Sequence, residues 1–303
     1  MFGNRSQGIV LIIIAATLWG TTGTAQKFAT LTLSSYWIGA IRLLIAAGFF
    51  VFWLSYRNRS SFSVSGVKTL PWLTILIAAA AITVYNIAFF AGVRSIGIAI
   101  GTAIALGSGP VWAGTLQGMF YRRVPSGGWW LALLICVAGL MVTFAGSTVS
   151  VTLDMQGMSL CLLSGLGYAV YALATKQMVM RASATKTNAA VFTMAAVVAI
   201  PAAFVLSGLP SIAYSDIAVL LWLGLGATGI AYLLFTTGLQ FISSATGVAL
   251  ALVEPIAAVC LAFFLIGERI SMQSFSGLFI LFVGLAVMIK VELKTNSDIA
   301  NTI

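Results

Sequence analysis

The feature that most constrains this chain is a succession of apolar runs, each about 20 residues or longer, parted by short polar stretches from residue 8 to residue 290. Hydrocarbon is about 30 Å thick and a helix rises about 1.5 Å per residue, so each run has the length of a membrane span. Lipid offers the backbone no hydrogen-bond partners, which leaves helices and closed barrels as the spanning structures. These runs are too long and alternate too little for barrel strands. The pattern predicts an all-α polytopic membrane protein with ten transmembrane helices, at 8–29, 35–55, 70–93, 97–121, 127–146, 156–178, 187–208, 215–238, 244–266 and 272–290. The uncharged stretch between Asp216 and Glu254 is too long for one crossing, and GLQFISSATG, 238–247, is its only polar interruption. With 7% charged residues, against roughly 25% in soluble domains, the chain cannot form a water-soluble globule.

The basic residues set an orientation. A formal charge of +9 comes from residues scattered between the apolar runs rather than gathered in a patch, so no nucleic-acid partner is expected. If the N-terminus is cytoplasmic, the inner segments hold Arg5, Arg57, Arg59, Lys68, Arg122, Arg123, Lys176, Arg181, Lys186, Lys290 and Lys294, and the outer ones only Lys27, Arg94 and Arg269. This bias predicts both termini on the cytoplasmic side. The sequons at Asn4 and Asn58 then face the cytoplasm and are read as chance. The first run, preceded by Arg5, is longer than the apolar region of a signal peptide and has no convincing cleavage site, so it is kept as a helix.

The chain has no histidine, and Cys136, Cys161 and Cys260 lie in apolar runs without a CxxC spacing. No metal, cofactor or disulfide is expected, and no carboxylate cluster points to an enzyme. No GxxxxGK[ST] loop is present for direct use of ATP.

Internal repetition carries more information than any single motif. A shift of 149 residues lays GIVLIIIAATLWGTTGTAQK, 8–27, on GMSLCLLSGLGYAVYALATK, 157–176, so that Gly8 meets Gly157, Trp19 meets Tyr168, Thr22 meets Tyr171 and Lys27 meets Lys176. A shift of 145 or 146 lays Gly92 on Gly238, Pro110 on Pro255 and Gly139 on Gly284. Two repeats follow: residues 1–150 with helices 1 to 5, and residues 151–303 with helices 6 to 10 and a short cytoplasmic tail. Five is odd, so the second repeat must be inverted relative to the first. Inverted repeats typify secondary transporters, whose site lies near mid-membrane where the halves meet. Pro110 and Pro255 are then expected as symmetry mates that each interrupt a helix near that interface.

LVEPIAAVCLAFFLIGERIS, 252–271, with its Glu-Pro pair and the Gly-Glu at 267–268, resembles the closing signature of the EamA type of the drug/metabolite transporter superfamily. LWGTTGTAQKFAT and the IRLLIAAGFFVFW segment around Arg42 resemble its first two helices. The resemblance spans essentially the whole chain and is greatest to the YddG-type bacterial amino-acid exporters. It implies ten helices in two inverted halves around a central cavity, a bacterial inner-membrane location, and export of amino acids or related metabolites. The first half departs from the pattern, with Gly109 where the second has Glu254 and YRRVP where it has GERIS.

An ionisable group at mid-bilayer costs at least about 2.5–3.5 kcal/mol, so intramembrane charge is the sharpest filter for site residues. Arg42 and Glu254 pass it, at depths that differ by about 5 Å on helical rise. One reading is that they neutralise each other and hold the halves in register. In the other, Glu254 receives a substrate ammonium, and Arg42, or backbone amides freed near Pro110 or Pro255, receives its carboxylate. A proton carried by Glu254 is a further open role. Trp19 and Thr22, their mates Tyr168 and Tyr171, and Tyr85, Asn86, Ser108 and Tyr232 bear polar tips that must face protein or water. They are cavity candidates, with plain packing as the alternative. The functions these features support are, first, a secondary transporter of amino acids with apolar or aromatic side chains and broad selectivity. Second comes a transporter of another small metabolite or drug, or a nucleotide-sugar or phosphate-ester antiporter of the same superfamily. From other classes, an intramembrane enzyme is disfavoured by the missing catalytic groups, and a channel or structural membrane protein by the paired inverted halves.

Overall fold

The computed structural model describes residues 2–28, 33–57, 70–145 and 154–300. Within them lie ten helices long and apolar enough to cross a membrane. They are α1 (Phe2–Lys27), α2 (Ser35–Arg57), α3 (Trp72–Ile96), α4 (Ile98–Tyr121), α5 (Gly127–Ala145), α6 (Met155–Val179), α7 (Ala184–Ser207), α8 (Tyr214–Gly238), α9 (Ser244–Ile266) and α10 (Met272–Ala300). The repeat boundary expected at residue 150, the basic residues Arg59 and Lys68 and the Asn58 sequon lie outside the described residues, as do the side chains of Asn4 and Arg57.

Several helices outrun the apolar runs that announced them. α1 starts at Phe2 rather than residue 8, and α10 continues to Ala300 rather than residue 290. Hydropathy marks where lipid ends; the helix ends where its hydrogen-bond ladder is capped. α7 begins at Ala184 because the Ser183 hydroxyl accepts from Lys186 N. α6 begins at Met155 because the Asp154 carboxylate accepts from Gln156 N and Gly157 N, both at 3.1 Å, and from the Ser95 hydroxyl. The Ser95 bond, followed by those two amides, holds the Asp154 carboxyl below its ordinary range. The turn expected within 238–247 falls at residues 239–243, and Ser243 caps α9 by accepting from Thr246 N at 3.1 Å. Between α3 and α4 a single residue intervenes, Gly97, whose φ of 89° lies in the region that only glycine enters freely.

The two halves interleave rather than stand side by side. α1 packs on α8 and α9, and α6 packs on α3 and α4; α2 packs on α8, and α7 on α3. Three further pairs join α2 to α7, α4 to α9 and α5 to α10. Advancing every helix by five places maps this set of contacts onto itself, which is the two-fold relation of inverted five-helix repeats. The glycines aligned in the sequence hold the equivalent contacts. A Cβ on Gly8 would lie 3.0 Å from Gly238 O, and one on Gly92 would lie 3.0 Å from Gly157 O. On the axis itself, a Cβ on Gly139 would sit 2.8 Å from the Leu281 Cα, and one on Gly284 would sit 3.1 Å from the Cys136 Cα. Close backbone approach through small residues is what drives helix association where lipid removes the hydrophobic force. Large apolar side chains such as Leu131, Leu134, Phe279 and Phe282 point outward, as a lipid-facing surface requires.

The expectation for Pro110 does not hold. α4 runs continuously over Ile98–Tyr121 with Pro110 inside it. A proline removes one backbone hydrogen bond, and α4 is clasped between α6 and α9, which fixes its course despite that loss. Pro255 behaves differently, because α9 is broken at residues 251–252 and resumes at Val253.

Gly139→Leu is expected to destabilise the fold by about 1–3 kcal/mol through overpacking against α10, seen as a lower Tm in detergent. Gly48→Ala, with nothing within 4 Å of its Cβ position, should leave Tm unchanged. Asp154→Ala should lower Tm at neutral pH. Because the folded-state pKa is depressed, the wild-type advantage is present above the ordinary Asp range and shrinks as pH falls below about 4, which a pH series of melting curves reads directly.

Candidate functional site

Where the halves meet, a cavity of about 610 Å³ is lined by residues of α1, α2, α3, α4, α5, α6, α8 and α9. Glu254, Arg42, Trp19, Thr22, Tyr85, Asn86, Tyr168 and Tyr232 line it. Its lining extends to Lys27, Ser35 and Glu268, at the helix ends opposite the termini, and stops short of the face that carries the termini.

Glu254 enters the cavity because α9 breaks. Its N–H is bonded to Ala251 O at 2.9 Å, a tight turn that restarts the helix. Pro255 is then in the first turn of the resumed segment, where its missing N–H is lost at no cost. The positive end of that segment's dipole favours the carboxylate. The proline therefore starts a helix segment, and the interruption lies three residues before it.

Arg42 reaches the same cavity from α2. Its Nε donates to the Thr228 hydroxyl at 3.1 Å, and among the described residues its terminal nitrogens have no protein acceptor. Arg42 and Glu254 form no ion pair within 4.0 Å; the pairs that meet this limit among the described residues are Lys27–Glu268 and Arg5–Glu292. Direct mutual neutralisation is thus not the arrangement. An acidic and a basic side chain stand apart in one cavity.

Beside them lies an aromatic floor. The Trp19 ring packs on Tyr232 with centroids 5.0 Å apart, on Phe235 at 5.4 Å and edge-on to Tyr168 at 6.1 Å. Tyr85 meets Tyr168 at 5.5 Å. The Trp19 Nε1 and the Tyr168 hydroxyl are both buried and, among the described residues, have no hydrogen-bond partner. Such groups carry a cost of about 1–3 kcal/mol each unless something else satisfies them. Asn86 donates to Ile82 O at 2.8 Å, which spends an amide donor locally.

Two candidates lie elsewhere. Tyr171 is fully buried behind the floor, its ring 5.6 Å from Tyr232 and 6.4 Å from Phe192. Residues three apart on a helix are turned by about 60°, enough to send Tyr168 into the cavity and Tyr171 into the core. Ser108 faces α6, where it fills the space left by Gly165, and bonds to Ala105 O at 3.3 Å. The sequence reading missed Thr228 and the Lys27–Glu268 pair. Thr228 resembled any helix-interior threonine bonded to its own backbone. Lys27 was read as an orientation signal and a repeat mate of Lys176, and Glu268 as part of a signature, without a link between the two.

At the terminal face the bundle is sealed. Arg5 Nη1 donates to Glu292 O at 3.0 Å and to Glu292 Oε1 at 3.4 Å, joining α1 to α10. The buried Glu292 carboxylate also accepts from the Thr246 hydroxyl at 2.7 Å, and Trp129 Nε1 donates to that hydroxyl at 3.2 Å. Gln117 Oε1 accepts from Ala245 N at 3.1 Å, and the Lys176 ammonium donates to Leu239 O.

Comparison with known proteins agrees with this architecture. The model of the EamA-like transporter family matches residues 6–145 and again 155–290, once for each half. A protein of Bacillus subtilis (strain 168) described as uncharacterized transporter YwfM is 34% identical over 281 residues, covering 92% of this chain and 92% of that protein. A solved structure titled only "Crystal structure of protein" superposes with a TM-score of 0.82 over 96% of this chain and 99% of that chain. Its sequence identity is 16%, so that likeness concerns the fold alone. Twin family matches, two-fold packing and a cavity at the seam lead to one statement: this chain belongs to the EamA-like transporter family.

Proposed function

We propose that this transporter exports amino acids with apolar or aromatic side chains, with broad selectivity, from the bacterial cytoplasm across the inner membrane by alternating access. The observation that supports the reading is the separation of Arg42 and Glu254 within one cavity, neither of them in an ion pair within 4.0 Å among the described residues. A zwitterion presents the two complementary charges. Its carboxylate meets the Arg42 fork, its ammonium meets Glu254, and its side chain lies over Trp19, Tyr168 and Tyr232. The volume suits a small ligand.

Phosphate esters suit the cavity less well. Its lining holds two cations, Arg42 and Lys27, and Lys27 is already paired with Glu268. Lys176 donates to a carbonyl at the opposite face and is not part of the lining. Alternating access draws support from the contrast between the two faces, one reached by the cavity and the other sealed around Glu292. The terminal face carries most of the basic residues, which accords with a cytoplasmic assignment.

Counterflow in proteoliposomes against amino acids, nucleosides and phosphate esters is the test. Apolar and aromatic amino acids are expected to exchange; exchange confined to phosphate esters would replace the reading. Glu254→Gln should raise KM for zwitterions about tenfold or more, the effect of a lost bond to a charged group. Unchanged kinetics would remove Glu254 from the site. An imposed pH gradient in the same vesicles tests proton coupling through that residue. Thr246→Val should loosen the terminal face by about tenfold in population. A cysteine placed at Ala258, with the native cysteines replaced, should then react faster with an impermeant maleimide added at that face; an unchanged rate would mean the seal does not set the conformation.

A further inference from the structure

The middle of α8 is not an ordinary helix. Trp222–Ile230 is π-helical, a form that is rare and concentrates at functional sites. This stretch lies against one face of α2, formed by Arg42, Ile45 and Phe49 at helical spacing. A Cβ on Gly224 would come within 2.5 Å of Ile45 Cβ, and one on Gly229 within 3.0 Å of Phe49 Cδ1, so the two glycines bring the backbones together. Thr228 sits between those contacts. Its hydroxyl donates to Leu223 O at 2.6 Å, five residues back, which is the register of the π turn.

A threonine hydroxyl has one hydrogen and two acceptor lone pairs. With the hydrogen committed to Leu223, the oxygen can act only as an acceptor toward the cavity, and what it accepts is the Arg42 Nε–H at 3.1 Å. A guanidinium held at Nε keeps both terminal nitrogens available for a bidentate carboxylate. Both Arg42 and Thr228 line the cavity.

We propose that Thr228 is a positioning residue for substrate recognition: through the π turn it fixes the Arg42 guanidinium so that its terminal nitrogens face a carboxylate in the cavity. The inference rests on the reading of Arg42 as the carboxylate anchor. It adds a residue of α8 that acts through another, setting the geometry of the one that meets the substrate.

The test uses the full chain in proteoliposomes, with L-phenylalanine and L-leucine as transported probes and 2-phenylethylamine, which lacks the carboxylate, as a competitor. Thr228→Val keeps the shape and removes the acceptor. It should raise KM for the amino acids about tenfold with the maximal rate within about twofold, and leave the inhibition constant of the amine unchanged. Thr228→Ser should restore KM to within about threefold. If Thr228→Val fails to assemble, Thr228→Cys, a weak acceptor of similar size, gives the same readout. Wild-type KM in Thr228→Val, beside a raised KM in Arg42→Gln, would overturn the positioning role and leave the site reading intact. Wild-type KM in Arg42→Gln would overturn the anchor itself, and this inference with it. A fall in rate alone, or an equal effect on the amine, would reduce Thr228 to a packing role and overturn the proposal.

Discussion

Everything in this molecule follows from the need to satisfy polar groups without water. In lipid a bare N–H, hydroxyl or charge has nowhere to turn except toward protein or an internal hollow. The helices therefore carry aliphatic and aromatic residues outward and collect Trp19, Arg42, Tyr85, Tyr168, Thr228 and Glu254 at the seam between the halves. Glycine makes that segregation possible. Where Gly8 meets Gly238 and Gly92 meets Gly157, backbone touches backbone, and the bundle is tight at its seams while staying open at its centre.

The fold was legible because its constraints act on composition and spacing. Length and hydropathy announce ten spans, and the order of Gly8, Gly92, Gly139, Gly157, Gly238 and Gly284 announces two related halves. Each of those glycines turns out to occupy a helix contact that no side chain could enter. The candidate site was legible only in part. A charge at mid-membrane is conspicuous, so Arg42 and Glu254 could be singled out; the rotation that separates Tyr168 from Tyr171 depends on where α6 faces, which no local pattern records. Thr228 was hidden for a different reason. Its importance lies in a π turn and in a neighbour 186 positions away.

Symmetry and its violation divide the labour. Pro110 and Pro255 occupy corresponding places, yet α4 runs straight through the first while α9 breaks ahead of the second. Gly109, in the place that corresponds to Glu254, faces packed helices rather than the cavity: its Cβ position lies 3.5 Å from Val248 Cγ1 and 3.7 Å from Tyr168 Cδ1. Its counterpart Glu254 has the cavity before it. A scaffold that repeats itself thus surrounds a hollow whose two ends of charge differ.

The two ion pairs near the ends of the bundle are unequal closures. Lys27 and Glu268 stand half-exposed at the rim, where such a pair contributes about 0–1 kcal/mol and salt weakens it further. The Glu292 clasp is buried and tied to Arg5 and, through Thr246, to Trp129, so parting it strands a carboxylate away from water. The two ends of the bundle are therefore held by contacts of different depth, and added salt reaches the rim pair well before it reaches the clasp.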